Sequence, residues 1–321
     1  MRNARQKKQP TRLRAPLAAA AALALIPLSG CGADGDAATA SAKVTPASAS
    51  ATVTAASAPA GQRNDQAFQA LEKQYDARLG VWALDTGTGK VVAWRADERF
   101  AYASTSKVPL TGTVLREDPM KRLDHVVKYT ADDLLSYSPV TEKHVATGMT
   151  IRELCDAALR FSDNTAANLL FREVGGPSGL GAALRRIGDR TTHVDRNEPD
   201  LNTAIPGDVR DTSTPRQLGT DLRAYTLGHV LPTPKRDLLI DWMRRNTTGD
   251  NVIRAGVPAG WTVGDKTGTG DYGVRNDIAV AWPPHRAPIV MAVMSSRSTK
   301  DATPNDRLIA GAAKVAADRL T

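Results

Sequence analysis

Strand-like segments lie near both ends of residues 64–321, and a long helical region separates the two groups. A helical pattern at 65–78 precedes residues 80–84 and 90–94, which are rich in β-branched and aromatic side chains around a turn cluster and predict a hairpin. Three further strand patterns come late in the chain, at 262–269, 277–282 and 289–295. A closing helix is predicted at 304–320. We therefore predict an α/β (α+β) fold in which a five-stranded antiparallel sheet is flanked by terminal helices.

The middle of the chain carries a helical pattern instead. Apolar residues recur there at three- and four-residue spacing, which predicts three helices, at 151–161, 166–174 and 179–187. We expect residues 103–245 to form an inserted all-α lobe, whereas residues 64–102 and 246–321 form an α/β lobe. An active site is expected between the two lobes.

Five short motifs occur in one order along the chain, and together they describe a serine acyl-transfer site. They are Ser104-Thr-Ser-Lys107, Ser162-Asp-Asn164, Arg196-Asn-Glu198-Pro-Asp-Leu-Asn202, Lys266-Thr-Gly268 and the single residue Arg275. The set supplies a nucleophile with a base one helical turn away, a proton shuttle, a carboxylate that can activate water, and cations for an anionic substrate. A single Ser-x-x-Lys match occurs readily by chance, so the prediction depends on the ordered set.

The motifs and their surroundings resemble those of the class A serine β-lactamases, the penicillinase family. Family-like sequence also occurs around the motifs, at 137–144, 149–155, 242–250 and 264–273. The resemblance covers the chain from about residue 64 to its C-terminus, and the fold of the family agrees with the predicted one. It implies a monomer without a cofactor that hydrolyses the amide bond of a β-lactam through a covalent acyl-enzyme.

The resemblance assigns the catalytic roles. Ser104 becomes the nucleophile, and Ser162 passes a proton to the departing lactam nitrogen. Glu198, with Asn202, holds and deprotonates the water that releases the acyl group. Either Lys107 or Glu198 can take the proton of Ser104, and the sequence leaves this choice open.

The resemblance also implies a set of substrate contacts, at Tyr137, Asn164, Asn202, Lys266, Thr267, Gly268, Thr269 and Arg275. Asn164 would bond the amide side chain of the substrate and Tyr137 would form a side wall, while the basic residues attract the carboxylate that β-lactams carry. The backbone N–H groups of Ser104 and Thr269 would form the oxyanion hole. A plain helix N-cap is the alternative interpretation of Ser162-Asp-Asn164, and Asp163 is expected to be structural.

In the family, the deacylating carboxylate lies on a loop called the Ω-loop. Here Arg196 could pair with Asp211 and close a loop of about 16 residues. The Glu198-Pro199 bond is a candidate cis peptide bond within it. A displaced loop should impair deacylation before it impairs acylation.

The first thirty residues predict an export signal. Six basic residues without an acid precede an apolar stretch at 15–28, and the chain then reads Leu28-Ser-Gly-Cys31, which resembles a bacterial lipobox. We expect cleavage before Cys31, lipidation of that cysteine, and anchoring to the outer face of the cell membrane with partial release, as in actinobacterial lipoprotein forms of the family. Ordinary cleavage with Cys31 as a bystander is the alternative. After Cys31, residues up to 63 are mostly Ala, Ser, Thr, Gly and Pro and predict a flexible tether.

Lipidation of Cys31 would leave Cys155 without a partner, because the chain has 2 cysteines. Many family members pair a cysteine at this position with one where this chain has Thr111. We therefore expect Cys155 to be a buried and inert thiol, and the fold to hold without a disulfide bond.

Charge and composition argue against two other classes of function. The formal net charge is +8, but it falls to about +2 once the six basic residues of the leader are removed. Aromatic residues make up 5% of the chain and are not interleaved with a basic run, so a nucleic-acid surface is not predicted. The 5 histidines are scattered without metal-ligand spacing, so no metal site is predicted.

Two alternatives to a β-lactamase remain open at this point. One is a D-alanyl-D-alanine peptidase or penicillin-binding protein, which would lack Glu198 and Asn202. The other is a non-catalytic β-lactam sensor, which would capture substrate without turnover. Penicillins and some cephalosporins are the expected substrates. Ala103 and Gly270 leave no cysteine pair of the kind that some carbapenem-hydrolysing relatives use, so strong carbapenemase activity is not expected.

Overall fold

The computed structural model describes residues 60–321, with side chains from residue 66 onward. The predicted signal peptide, Cys31 and most of the tether lie outside the described residues. The strands are β1 (Arg78–Asp85), β2 (Val91–Trp94), β3 (Phe100–Ala101), β4 (Val126–Val127), β5 (Met149–Thr150), β6 (Thr212–Ser213), β7 (Thr262–Gly270), β8 (Val274–Trp282) and β9 (Ile289–Ser296).

The helices are α1 (Ala60–Tyr75), α2 (Lys107–Glu117), α3 (Ile151–Arg160), α4 (Asn164–Glu173), α5 (Gly176–Arg186), α6 (Pro215–Thr226), α7 (Thr233–Arg244), α8 (Ile253–Gly256) and α9 (Asp306–Leu320). Short 3₁₀ turns join them, at Ala103–Ser106, Met120–Asp124, Ala131–Asp133, Thr141–Lys143 and Asp200–Asn202. Across residues 60–321, no helix combines the length and the apolar character needed to cross a bilayer.

Five of the strands form one antiparallel sheet in the order β2-β1-β9-β8-β7. In its register, Trp82 of β1 and Ile278 of β8 both lie opposite Ala292 of the central strand β9. The first strands of the chain therefore pair with the last ones. This arrangement confirms the predicted α/β fold with a five-stranded antiparallel sheet.

Alternate residues of each strand enter two separate hydrophobic cores. On β9, Met291 and Val293 face a core that they share with Phe68 of α1 and with the apolar face of α9. Ala292 and Met294 face the opposite core, which the helical lobe covers. Because side chains alternate with a period of two and both faces are covered, β9 is apolar along nearly its whole length.

The inserted lobe is helical apart from short bridges. Its helix α3 begins at a capping box, in which the Thr150 hydroxyl accepts the Glu153 N–H and the Glu153 carboxylate accepts the Thr150 N–H. Within or beside the lobe, β4 pairs with β5, and β6 pairs with β3. The prediction of an all-α lobe missed these strands, because two residues give no periodicity that a sequence pattern can detect.

Cys155 of α3 is a free thiol and is completely buried in the helical lobe. Burial raises the pKa of this thiol, which keeps the reactive thiolate form rare. The expectation that this cysteine is buried is therefore confirmed, and the raised pKa agrees with the expected inertness. Thr111, on the neighbouring helix α2, is also buried.

Candidate active site

Ser104 lies where the helical lobe meets the sheet. It belongs to the 3₁₀ turn Ala103–Ser106, which leads into α2 and packs against β7. β7 is an outer strand whose one edge pairs with β8, so its other edge is free to face this turn. At Gly268 the approach is so close that a Cβ atom would lie 2.8 Å from the carbonyl oxygen of Tyr102. The glycine of Lys-Thr-Gly therefore allows the strand to approach the turn that contains Ser104.

Asn276 of β8 fixes the backbone just before Ser104. Its Nδ2 donates to the carbonyl oxygens of Ala101 at 2.8 Å and Tyr102 at 3.1 Å, and its Oδ1 accepts the Ser295 N–H at 3.1 Å. The next residue, Ala103, has a φ of +49°, a strained value for a residue with a side chain. These bonds hold the strained turn that presents Ser104.

The ammonium nitrogen of Lys107 lies at the centre of the site, and only 1% of the residue is exposed. Its Nζ donates to Ser104 Oγ at 2.8 Å and to Asn164 Oδ1 at 2.7 Å. It also donates to the carbonyl oxygen of Ser162 at 3.0 Å and pairs with Glu198 Oε1 at 2.8 Å. Residues from four separate motif positions therefore converge on one nitrogen.

Ser162 connects the two lysines of the site. Its Oγ accepts a hydrogen bond from Lys266 Nζ at 3.0 Å and lies 3.4 Å from Lys107 Nζ. Its φ of +58° is left-handed, which strains a serine. The neighbouring Asp163 is the N-cap of α4 and accepts the Ala166 N–H at 2.8 Å. The motif therefore contains a helix cap at Asp163 beside a site hydroxyl at Ser162.

The carboxylate of Glu198 is buried and is held at both oxygens. Oε1 pairs with Lys107 and lies 3.4 Å from Ser104 Oγ, while Oε2 accepts a hydrogen bond from the side-chain amide of Asn202. Asn168 of α4 fixes the main chain of the same residue. Its Nδ2 donates to the Glu198 carbonyl oxygen at 2.9 Å, and its Oδ1 accepts the Glu198 N–H at 3.0 Å.

The loop that carries this carboxylate is closed at its neck. Arg196 Nε donates to Asp211 Oδ2 at 2.5 Å, and Asp211 Oδ1 accepts two backbone N–H groups at the start of the loop, at 2.9 and 3.0 Å. The predicted pairing is confirmed, and the Glu198-Pro199 bond is cis. On the inner side, a Cβ atom at Gly270 would lie 2.7 Å from the carbonyl oxygen of Asn202. The Ω-loop therefore rests against the end of β7.

The other predicted substrate contacts lie along β7 and β8. Thr267 Oγ1 shares a hydrogen bond of 2.6 Å with Thr248 Oγ1. Arg275 lies opposite Thr269 in the strand register, and its Nη1 donates to Thr269 Oγ1 at 3.1 Å. This row of hydroxyls beside a guanidinium and the ammonium of Lys266 is suited to bind a carboxylate.

Tyr137 is the exposed member of the predicted set, with 61% of the residue accessible. Its carbonyl oxygen accepts the Asn164 N–H at 3.1 Å, so the backbone of Tyr137 adjoins the residue expected to bond the substrate amide. The side chain of Asn164 is oriented by its Nδ2, which donates to the Ser136 carbonyl oxygen at 3.1 Å. The exposed ring is therefore available as a side wall.

Buried charges beside Lys266 shape its electrostatics. Burial lowers the pKa of the Lys266 ammonium well below its usual range, and the positive charge of Lys107 lowers it further. Burial also raises the pKa values of Asp265 and Asp277, the two acids nearest to it in sequence and across the strand pair. Asp265 accepts a hydrogen bond from Arg254 Nε at 2.6 Å. The charge state of Lys266 is therefore sensitive to pH.

Four residues that support the predicted ones were not predicted from the sequence, namely Asn168, Thr248, Asn276 and Asp306. Asp306 Oδ1 accepts from Arg275 Nε at 2.5 Å, and the Thr248 carbonyl oxygen lies 3.4 Å from Arg275 Nη2. Only Asn168 had a usable signal, because it follows Asn164 by four residues and so lies on the same helix face. The other contacts join distant segments.

Comparison with known proteins agrees with this geometry. Residues 63–320 match the model of a family described as the beta-lactamase enzyme family. A beta-lactamase of Amycolatopsis lactamdurans is 62% identical over 80% of this chain and 85% of its own length. One of Bacillus amyloliquefaciens is 58% identical over 80% of this chain and 84% of its own.

Solved structures give the same result. The class A beta-lactamase of Clostridium kluyveri has 53% sequence identity and a TM-score of 0.80, and the match covers 81% of this chain and 99% of that one. Sequence identity at this level, over nearly the whole partner structure, extends beyond a shared fold. The chain is accordingly a class A serine β-lactamase by family, and hence a hydrolase.

Proposed function

We propose that this β-lactamase opens penicillins and some cephalosporins by acylation of Ser104, and that a water activated by Glu198 hydrolyses the acyl-enzyme. The observation that carries the proposal is the contact set of Lys107 Nζ, which lies 2.8 Å from both Ser104 Oγ and Glu198 Oε1. A nucleophile, a cation and a carboxylate joined by one set of hydrogen bonds provide the groups needed for both acylation and deacylation.

The hydrogen bonds of Lys107 support a choice between the two acylation bases. Its Nζ faces three groups that can only accept: the Asn164 Oδ1, the Ser162 carbonyl oxygen and the Glu198 carboxylate. An ammonium has three protons, which Ser104 Oγ and these acceptors share, whereas a neutral amine has two. The resting site therefore favours an ammonium, which has no lone pair for a proton. Glu198, 3.4 Å from Ser104 Oγ, is then the base in this proposal.

Acylation follows from this arrangement. Ser104 Oγ attacks the lactam carbonyl carbon while its proton passes to Glu198, and the carbonyl oxygen becomes an oxyanion that backbone N–H groups of the turn and of β7 stabilise. Ser162, bonded to Lys266 at 3.0 Å, then donates its proton to the lactam nitrogen as the C–N bond breaks. The proton held by Glu198 passes through Lys107 Nζ, which lies 2.8 Å from Glu198 Oε1 and 3.4 Å from Ser162 Oγ, and restores the Ser162 hydroxyl. Glu198 is then a carboxylate again before deacylation begins. The ring-opened product stays joined to Ser104 as an ester.

Deacylation uses the other side of the carboxylate. Glu198 Oε2 is bonded to the amide of Asn202, and Oε1 lies 3.4 Å from Ser104 Oγ, so in this proposal the attacking water binds between these three side chains. Glu198 takes a proton from this water as it attacks the ester carbonyl, and Ser104 regains its proton on release. This pair is what a penicillin-binding protein would lack, so the pair favours turnover over stable capture.

The test is steady-state hydrolysis of a chromogenic cephalosporin in large molar excess by residues 60–321. We expect sustained turnover from the parent and a burst near one equivalent from Glu198→Ala. Asp200→Asn is the matched control, because Asp200 is an exposed carboxylate on the same loop, and it should turn over like the parent. A burst of one equivalent from the parent would show capture without hydrolysis and would overturn the proposal.

The substrate range and the location of the enzyme are also proposals. A penicillin carries the carboxylate that Lys266, Thr269 and Arg275 are placed to bind, and its hydrolysis would confer resistance on the host. The lipobox-like Leu28-Ser-Gly-Cys31 supports export with a lipid anchor at Cys31. Labelling of the full chain with radioactive palmitate tests the anchor, and Cys31→Ala should abolish both the label and membrane attachment.

A further inference from the structure

A pair of buried carboxyl groups lies outside the active site. Asp189 follows α5 and Asp221 lies on α6, and the residues are only 2% and 4% exposed. Their side chains are within hydrogen-bonding distance of each other. The pair has no role in the acylation and deacylation steps proposed above.

Each carboxyl group has one satisfied oxygen and one unsatisfied oxygen. Asp189 Oδ1 accepts the N–H groups of Thr191 at 2.7 Å and Thr192 at 2.9 Å, and Asp221 Oδ1 accepts from Gln217 Nε2 at 2.8 Å. Within residues 60–321, the Oδ2 atom of each aspartate is buried without a donor. Buried oxygens without donors are rare in folded proteins, and two adjacent buried carboxylates repel each other. One proton shared by the two Oδ2 atoms would give each oxygen a hydrogen-bond partner and would remove the repulsion between two negative charges.

The groups that act on Asp221 include no cation. Among the described residues, no lysine or arginine acts on Asp221, whose pKa is raised well above its usual range by burial and by the neighbouring Asp189. Tyr225, one turn later on α6, has a pKa raised by its own burial to about 12, with Arg116 and Glu117 of α2 acting on it more weakly. In the described part of the chain, no three metal-ligating side chains cluster here to bind a cation instead.

We propose that Asp189 and Asp221 share one proton at neutral pH, and that this bond between a carboxylic acid and a carboxylate positions the neck of the Ω-loop. The proton fastens α6 to the segment after α5, because one partner lies on each. Asp189 is then a positioning residue, since its Oδ1 fixes the backbone at Thr191 and Thr192.

Two contacts carry this fixation into the loop. The Thr192 Oγ1 shares a hydrogen bond of 2.7 Å with Ser213 Oγ, and the His193 N–H donates to the Thr212 carbonyl oxygen at 3.0 Å. These contacts join the segments that enter and leave the Ω-loop, on which Glu198 lies. The effect on deacylation rests on the proposed role of Glu198, whereas the shared proton does not.

The first test compares the parent with Asp221→Asn, in which an amide N–H replaces the shared proton and cannot titrate. The folded parent binds this proton more tightly than the unfolded chain, so its stability should fall as the pH rises from about 4 through the pKa of the pair. We expect the melting temperature of the parent to fall relative to Asp221→Asn between pH 5 and pH 9. The infrared spectrum of the parent at pH 7 should contain a protonated-carboxyl band that is lost in the variant.

If the melting temperatures of the parent and Asp221→Asn change in parallel with pH, or if the variant keeps the protonated-carboxyl band, the shared proton is ruled out. In Asp189→Asn, an amide N–H on the other residue of the pair replaces the shared proton. Because an amide should replace the proton in both variants, failure of both to fold would contradict the proposal. The second test is the rate of acyl-enzyme breakdown at pH 6 and pH 9. We expect it to slow at the higher pH in the parent and less in Asp221→Asn. Equal slowing, with the stability result intact, would reject only the link to the loop.

Discussion

Lys107 and Lys266 are both buried and lie on either side of Ser162, but their surroundings differ. Lys107 has a carboxylate at 2.8 Å, from Glu198, together with acceptor oxygens on the other sides. Lys266 donates to Ser162 Oγ at 3.0 Å and to the carbonyl oxygen of Thr267 at 2.8 Å. Among the ion pairs of residues 60–321, none joins a carboxylate to Lys266.

This difference shows how one residue type can serve two purposes within one site. A buried charge with an oppositely charged partner and a full set of hydrogen bonds is part of the structural framework. Removing it leaves the charge of its partner buried and uncompensated. A buried charge that lacks such a partner has a displaced pKa, so pH controls it. In the proposed mechanism, Lys107 therefore positions Ser104, whereas the pH-dependent charge of Lys266 controls its interactions with the substrate and with Ser162.

The largest effect should follow removal of the fixed charge. Lys107→Met leaves the buried Glu198 carboxylate without its cation and removes the donor to Ser104, so we expect the acylation rate to fall by about 10²- to 10⁴-fold. Stopped-flow measurement of single-turnover acylation gives the rate. Lys121→Met, which removes an exposed lysine of the same lobe, should acylate like the parent. An acylation rate within threefold of the parent, about 0.7 kcal/mol, would show that the central cation is dispensable.

A smaller effect, confined to alkaline pH, should distinguish the second lysine. Because its pKa is lowered, the Lys266 ammonium loses its proton at a pH below that at which a free lysine does. We expect kcat/KM for a penicillin to fall on the alkaline side at a pH below the usual range of a lysine pKa, and this fall to move to higher pH in Lys266→Arg, since a guanidinium stays charged. An unmoved limb in the arginine variant would assign the titration to another group.

A further variant tests whether Glu198, the partner of Lys107, needs the hydrogen bonds that Asn168 makes to its main chain. Asn168→Ala removes two hydrogen bonds to the main chain of Glu198, each worth about 1 kcal/mol, so we expect deacylation to slow by about 30-fold. Acylation should slow less, because Ser104 and Lys107 keep their own bonds. Single-turnover measurements of both steps separate the two rates, and equal slowing of both would mean that Asn168 stabilises the lobe generally.

Much of this architecture could be predicted from the sequence, because strand and helix patterns are local. The five strands and the helices that begin at residues 151 and 164 were predicted within a few residues. The ordered motifs also predicted which side chains meet, including Arg196 with Asp211. The motif residues lie on or beside segments that the periodicity had already identified as helices or strands.

The contacts that complete the site could not be predicted in this way. Asp306 reaches Arg275 across 31 positions in sequence, and Asn276 reaches Tyr102 across 174. Such contacts depend on the register of the sheet and on how α9 returns to it, which no local pattern encodes. The strands of two residues were missed for a different reason, because they are too short to show a periodic pattern.

The most direct test of the account is intact-protein mass spectrometry after mixing with a penicillin, followed by peptide mapping. In Glu198→Ala we predict a stable adduct with the full mass of the penicillin, located on the peptide that contains Ser104, and only a transient adduct in the parent. Ser104→Ala should form no adduct at all. A long-lived adduct in the parent, or an adduct on another residue, would contradict the assignment of Ser104 as nucleophile and Glu198 as the group that releases it.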